Sequence, residues 1–381
     1  MNLDDGAPIR VGLVGCGNVA LGDHVPAYLS MPDRYRLEAI ADPTPARLEL
    51  GRAASGLDPA DCHADAASLL ARTDLDMIDV CTPQHFHHDL VIAAAAGGRH
   101  VLSEKPLATT PRDAWEMVAA AEAAGTTLAI MHNYLLFSEV ARTLEIIGSG
   151  EIGPVEVVIL NWLGVPDSPG NAAYRPTWRH DPKQAGGGVL MDMLHIVYLA
   201  EAMLGTPIER VSAWVAARND GAPVEDIALA RFETADAAAL VNVGWGVGAG
   251  GYSVSGRAGR IDVTYRDGSN GGWEPVEEFV VHGTSGRSEV TDLPHIDGAH
   301  PLIAELADAI RAGRPPLATG AQGAHILEAT LAVYASAATG RTWDLPLTPG
   351  EPLYERGVAG LAELDLDPAG AIARKRIFGV G

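Results

Sequence analysis

The residues with the plainest chemical purpose stand near the start of the chain, where Gly15, Gly17 and Ala20 in VGLVGCGNVA form a GxGxxA pattern. In such a turn the first glycine permits a tight bend and the second lets the backbone approach a pyrophosphate. The small third residue lets the following helix pack closely on its strand. Asn18 and Val19 open that helix, whose free N–H groups and positive dipole end favour phosphate oxygens. Glycine-rich strand-to-helix turns also occur without a dinucleotide, so context decides. Ile9, Val11, Leu13 and Val14 supply a strand before the turn, and a second apolar strand, Leu37 to Ala41, ends in Asp42. A carboxylate there accepts hydrogen bonds from an adenosine ribose and repels a 2′-phosphate, which favours NAD over NADP. Arg47 is the one nearby residue that argues otherwise. Asp42 follows the glycines by about 25 residues where ~20 is usual, and the stretch from Gly22 to Tyr35 accounts for the excess. The same carboxylate is also placed to cap the helix that begins after Pro43.

A second chemical segment, Thr82-Pro83-Gln84-His85-Phe86-His87, follows the apolar strand Met77 to Cys81. The C-terminal end of a strand is where a doubly wound sheet binds its ligands. Three close histidines invite a metal reading, but no carboxylate or cysteine spacing accompanies them, and no metal is expected.

These residues require a scaffold, and the chain supplies one. From Ile9 to about His132 strands and helices alternate, as a doubly wound parallel sheet demands. Strands are expected at Ile9–Val14, Leu37–Ala41, Met77–Cys81, His100–Leu102 and Thr127–Met131. The helix Asp113–Ala124 has a start signal in Thr110-Pro111 and a stop in Gly125. Beyond His132 longer β-branched runs predict a second α/β domain with a large, mostly antiparallel open sheet, interrupted by one helix from Val189 to Leu204. The expected organisation is a Rossmann domain over 1–132, a second α/β domain over 133–346, and a C-terminal extension over 347–381.

Composition narrows the partners. The 381 residues are 47% hydrophobic and 20% charged, a globular balance. With 27 Lys+Arg against 49 Asp+Glu the formal charge is −22, which repels nucleic acid and anionic membrane surfaces. No apolar run reaches membrane-span length, and MNLDDGAPIR lacks the basic start and apolar core of a signal peptide, so a cytoplasmic protein is expected. Cys16, Cys62 and Cys81 form no CxxC pair, and neither a disulfide framework nor a zinc site is indicated.

The stretch HVLSEKPL, together with VGLVGCGNVA, CTPQHFHHDLVIAAAAGGRHV and AGGGVLMDMLH, closely resembles the Gfo/Idh/MocA family, named for glucose-fructose oxidoreductase, inositol dehydrogenase and rhizopine catabolism. The similarity runs from about Ile9 to Pro346. It implies bound NAD or NADP and oxidation or reduction at a carbinol carbon of a sugar, cyclitol or related polyol, and it assigns substrate binding and oligomerisation to the domain over 133–346. By the same resemblance Glu104, Lys105 and Pro106 form the family's Glu-Lys-Pro motif, with Lys105 beside the nicotinamide and the reacting oxygen. An ammonium there stabilises a developing alkoxide and relays its proton. Thr82, Pro83 and His87 then contact the cofactor, and Asn133 faces the nicotinamide and the substrate. Tyr174, Trp178, Arg179, Asp192 and His195 resemble the substrate wall, with His195 as general base and Asp192 fixing its tautomer.

Two departures from the family pattern stand out. Asp192 and His195 are spaced i, i+3 rather than i, i+4, which on a regular helix turns the imidazole by about 100°. Either the helix begins differently or another group, such as His180 or Tyr174, is the base. Leu135 stands where relatives often carry arginine. Three functions remain open: an NAD-dependent dehydrogenase, an NAD-dependent glycosidase working by transient oxidation and elimination, and a non-catalytic NAD/sugar sensor. Finally, Val155–Leu163 and Ala238–Trp245 are apolar on nearly every residue, where a half-solvated sheet would alternate. A homodimer or homotetramer packed through open sheet faces is therefore expected, with the helices Val189–Leu204 and Pro301–Ala312 covering the other side.

Overall fold

The computed structural model describes residues 6–167, 180–181, 186–217, 224–246, 248, 250–266, 275–294, 296 and 298–364. Tyr174, Trp178 and Arg179 lie outside the described residues, as does the terminal ARKRIFGVG. Two compact units emerge, one of residues 1–133 with 299–324, the other of 134–298 with 325–381.

The first unit is built on six parallel strands: β1 (Ile9–Val14), β2 (Tyr35–Ala41), β3 (Cys62–His63), β4 (Met77–Val80), β5 (His100–Ser103) and β6 (Leu128–Ile130). Their order is β3-β2-β1-β4-β5-β6, so the winding reverses between β1 and β4. Such a reversal opens a crevice at the carboxyl ends of these strands. Ile9, Val11 and Leu13 of β1 and Met77, Ile78 and Val80 of β4 are fully buried, as strands covered by helices on both faces must be. Six helices begin in order along the chain: α1 (Val25–Ser30), α2 (Pro45–Ser55), α3 (Ala66–Leu70), α4 (His87–Ala96), α5 (Pro111–Ala124) and, in the second unit, α6 (Ser138–Ser149). The α5 boundaries follow their sequence signals: Thr110 Oγ1 accepts from the Asp113 N–H at 3.1 Å, and Gly125 takes a left-handed φ of 65°.

The helix Ala299–Ala312 belongs to this unit and does not cover the second sheet as its sequence position implied. Tyr35 Oη donates to Ile303 O at 2.7 Å, and Arg34 reaches Ala304 O at 2.9 Å and the Asp308 carboxylate. An amphipathic helix declares that it buries one face, not which core receives it.

The second unit is a nine-stranded sheet: β7 (Val155–Val165), β8 (Arg210–Ala216), β9 (Ile227–Glu233), β10 (Ala238–Trp245), β11 (Gly250–Gly256), β12 (Gly259–Tyr265), β13 (Val276–Gly283), β14 (Gly286–Glu289) and β15 (Trp343–Asp344). The order is β14-β13-β12-β11-β7-β10-β9-β8-β15, with β7 and β10 parallel and the other described pairs antiparallel. One face is buried under helices, including His195–Leu204 on β7 and β10. Val158, Leu160 and Trp162 of β7 and Ala239, Val241 and Val243 of β10 point inward. The opposite face carries Val157, Leu240, Leu229 and Trp214, between 37% and 50% exposed. Leu229 lies directly opposite Trp214 in the ladder.

The expected single helix from Val189 to Leu204 is two: Val189–Asp192 and His195–Leu204. Met193, at φ −107° and ψ 31°, leaves helical geometry between them. The 100° rotation argument for Asp192 and His195 therefore does not apply, and the helix does begin differently.

Candidate active site

Gly15 leaves β1 at φ +98°, and a Cβ there would lie 2.5 Å from Cys81 O, so only glycine lets β1 and the end of β4 approach this closely. At Gly17 a Cβ would meet nothing nearer than Cys81 O at 4.0 Å, which leaves room above the backbone. Val19, 38% exposed, and half-buried Asn18 form the first turn beyond it. Asp42 stands at the end of β2 and is held from two sides. Its Oδ2 accepts from the Cys16 N–H and its Oδ1 from the Thr44 N–H, both at 2.8 Å. It thus braces the glycine turn and caps the α2 entry while each oxygen keeps a further lone pair for a ligand hydroxyl. Arg47 points inward: its Nε donates to Cys16 O at 2.7 Å and the residue is buried. It does not offer the exposed guanidinium that a 2′-phosphate would need. Cys16 is packing, its thiol pushed up to about 12 by burial and the Asp42 charge.

The loop after β4 meets this turn. Thr82 Oγ1 is buried with no hydrogen-bond partner among the described residues. A ligand group or an ordered water reaching this loop would complete its bonding. The small-residue turn, the braced Asp42 carboxylate and this hydroxyl together fit a dinucleotide. His87, fully buried, links two loops: Nε2 lies 2.7 Å from Thr82 O, and Nδ1 lies 3.0 Å from Pro106 O and 3.2 Å from Leu107 O. Burial lowers its pKa against the pull of those carbonyls. His85 is exposed on Phe86, and His88 pairs with Asp89 and Glu116 on the surface.

Glu104 and Lys105 follow β5. Lys105 is half-buried, its N–H donates to Glu104 Oε2 at 3.0 Å, and the Lys105–Pro106 peptide is cis. Glu104 Oε1 lies 3.1 Å from Nε2 of His24, whose Nδ1 is 2.7 Å from Asp79 Oδ2. Sequence reading missed His24: a lone histidine on a first helix gives no signal until β4 and β5 bring Asp79 and Glu104 to it. His132, at the end of β6, was also missed. Burial and the Lys105 charge, opposed by Glu104, push its pKa down to about 3, so the ring is neutral. Asn133, half-buried, begins the turn Asn133–Leu136 that includes Leu135.

The second unit holds the other predicted group. His195 is 5% exposed and stacks on Tyr134 with ring centroids 3.8 Å apart. Its Nδ1 lies 2.7 Å from Tyr198 Oη, which also accepts the Tyr134 N–H at 3.1 Å. Tyr198 is thus an orienting partner that the sequence reading, fixed on Asp192, did not name; its i+3 position from His195 was the available signal. Asp192 is half-buried at the end of the short helix. That helix is anchored by Glu225, which accepts from the Gly188 and Leu190 N–H groups at 2.8 and 3.0 Å and from Tyr334 Oη at 2.7 Å. Gly187 and Gly188 leave no room for a side chain, since a Cβ would fall within 2.2 Å of Tyr334 Oη and 2.1 Å of Glu225 O. His180 pairs with Asp167 at 3.0 Å.

Residues 9–132 match the model of an oxidoreductase family with an NAD-binding Rossmann fold, and residues 140–288 match the Gfo/Idh/MocA C-terminal domain. D-glucoside 3-dehydrogenase of Escherichia coli is 30% identical over 53% of this chain and 55% of its own length. The chain thus spans about half the length of that relative and of several others it matches. A 1,5-anhydro-D-fructose reductase of Ensifer adhaerens is 28% identical over 73% of this chain and 82% of its own. Among solved structures, the WlbA dehydrogenase of Bordetella pertussis in complex with NADH and UDP-GlcNAcA is 27% identical, with a TM-score of 0.76 over 90% of this chain and all of that one. The glycine turn with its braced aspartate, the Glu-Lys-Pro segment and the matching of both domains have one reading: the chain belongs to the Gfo/Idh/MocA oxidoreductase family.

Proposed function

We propose that the protein is an NAD(H)-dependent oxidoreductase acting on a secondary alcohol carbon of a sugar, cyclitol or related polyol. The observation that carries the reading is Lys105, half-buried and anchored through Glu104, in the same unit as the cradle of Gly15, Gly17, Asp42 and Thr82. Glycoside and anhydrosugar substrates named for the relatives point the same way. NAD held by this cradle would supply the acceptor for a hydride from the carbinol carbon. Asn18, Val19 and Pro83 line the cradle, and His87 holds its loops together from behind. Lys105 stabilises the oxygen as it gains negative charge and passes its proton on. In the second unit His195 is the candidate base, with Tyr198 and Asp192 setting its tautomer, and Tyr174, Trp178 and Arg179 are further substrate contacts. Three free thiols fit a reducing, cytoplasmic setting. A panel of polyols, inositols, sugars and glycosides monitored for NADH tests the activity. Net NADH supports a dehydrogenase, and glycoside cleavage without NADH supports the glycosidase alternative.

His195→Ala is expected to lower turnover about a hundredfold and Tyr198→Phe about tenfold, measured by steady-state kinetics. If His195→Ala keeps normal turnover while His180→Ala or Tyr174→Phe loses it, the base lies elsewhere.

The apolar outer face of the second sheet, with Val157, Leu240, Leu229 and Trp214, is the proposed homodimer or homotetramer surface. Light scattering is expected to report an oligomer at micromolar concentration that Leu240→Asp with Trp214→Glu converts to monomer. A wild-type monomer would refute the assembly.

A further inference from the structure

We propose that His24 is a positioning residue for Lys105: a permanently protonated imidazolium clamped between Asp79 and Glu104, which keeps Glu104 ionised and fixed on the Lys105 turn. The inference rests on the reading of Lys105 as the reacting lysine. His24 is completely buried at the end of the π-helical turn Ala20–His24 that leads into α1. Both of its nitrogens face carboxylates, Asp79 Oδ2 at 2.7 Å and Glu104 Oε1 at 3.1 Å. With both carboxylates ionised each can only accept, and a neutral imidazole has a single N–H, so the imidazolium is the form that then satisfies both partners. Further bonds tie this network to its neighbours, and Cys81 Sγ lies 3.4 Å from Asp79 Oδ1. Tyr28 Oη donates to Asp79 Oδ2 at 2.8 Å, and Glu104 Oε2 accepts the Lys105 N–H at 3.0 Å.

Charge supports the same assignment, since Asp79 and Glu104 are balanced by His24 and Lys105. Burial alone would strip the His24 proton, but the charge of Asp79 and its hydrogen bond to the ring outweigh it and hold the pKa well above its usual value. Burial alone would likewise protonate Glu104, and the hydrogen bond and charge of His24 reverse that. The groups that face His24 are Asp79 of β4, Cys81 just past it, with Sγ 3.4 Å from Nδ1, and Glu104 beyond β5. Tyr28, on α1, acts through Asp79. The helix Ala299–Ala312, packed on the same segment, directs His300 to Ser30 and Asp308 to Arg34. Without the imidazolium, Glu104 is a largely desolvated carboxyl that has lost its cationic partner, with Asp79 across the site, and both changes push its pKa up.

The test uses the NAD-loaded protein and needs no turnover, so it stands apart from the test of Lys105 itself. Lys105, Lys183 and Lys375 are the chain's only lysines, so lysine labelled with ¹³C at Cε gives three signals, and Lys105→Met assigns one. In ¹⁵N-histidine spectra of the wild type, both His24 nitrogens should carry protons to about pH 8, where a free histidine is neutral. The Lys105 signal should be flat between about pH 5 and 8 in the wild type, step within that window in His24→Gln, and be flat again in His24→Gln with Glu104→Gln. A His24 that deprotonates near 6.5, or a flat Lys105 profile in folded His24→Gln, would overturn the proposal. If His24→Gln does not fold, the wild-type imidazole measurement decides it.

Discussion

Lys105→Met is expected to lower kcat about a thousandfold, about 4 kcal/mol of transition-state stabilisation, while the protein folds and binds NAD as before. The size follows from what the ammonium does: it meets charge that develops on the substrate oxygen, and it supplies a path for the hydroxyl proton, each worth orders of magnitude in a water-poor site. The preserved fold follows from the surroundings. Glu104 keeps His24 as its main partner, and its bond from the residue-105 N–H is a backbone bond that any side chain allows. Methionine has a similar reach and suits a half-buried position. Rapid-mix kinetics with fluorescence titration of NADH separates the two effects. Near-normal turnover would remove Lys105 from the chemistry, and lost NADH binding would make it a cofactor ligand only.

The ratio of NAD to NADP affinity is expected to exceed about a hundredfold in the wild type and to fall about a thousandfold in Asp42→Ala. Two contributions of about 2 kcal/mol each produce the change. Hydrogen bonds from ribose hydroxyls to an ionised acceptor are lost for NAD, and repulsion of a 2′-phosphate, weakened by partial solvent exposure, is lifted for NADP. Arg47 makes this a clean test, because its inward bond to Cys16 O keeps its guanidinium from competing with Asp42. Isothermal calorimetry with both cofactors measures it. Equal wild-type affinities would mean that Asp42 serves only to brace Cys16 and Thr44.

What could be read from the sequence was local. β1 spans Ile9–Val14 as its alternating apolar residues required, and the α5 caps at Thr110 and Gly125 lie where short-range rules put them. The glycine turn could be read because Gly15 answers a steric demand from Cys81 O that admits no side chain. What escaped depends on distant partners. His24 gains its meaning from residues 55 and 80 positions away. The helix Ala299–Ala312 has an apolar face that suits either core, and only its bonds to Tyr35 and Arg34 decide between them. The break at Met193 was hidden because VLMDMLHIVYLAEAML is helical in composition throughout; the Glu225 side chain pins its first turn from the segment just before β9. The short edge strand β3 and the hairpin of β13 and β14 also went unread, since edge strands depend on pairing more than on pattern.

The proposed reaction moves a hydride from a carbinol carbon to NAD and leaves it there. The most direct measurement uses a turned-over polyol or sugar carrying deuterium at the oxidised carbon, with mass analysis of the cofactor after reaction. One deuterium per reduced nicotinamide, in step with the ketone formed and accumulating about a thousandfold more slowly with Lys105→Met, is the predicted result. Substrate consumed with no label retained on the cofactor, above all glycoside cleaved with NAD left oxidised, would contradict it.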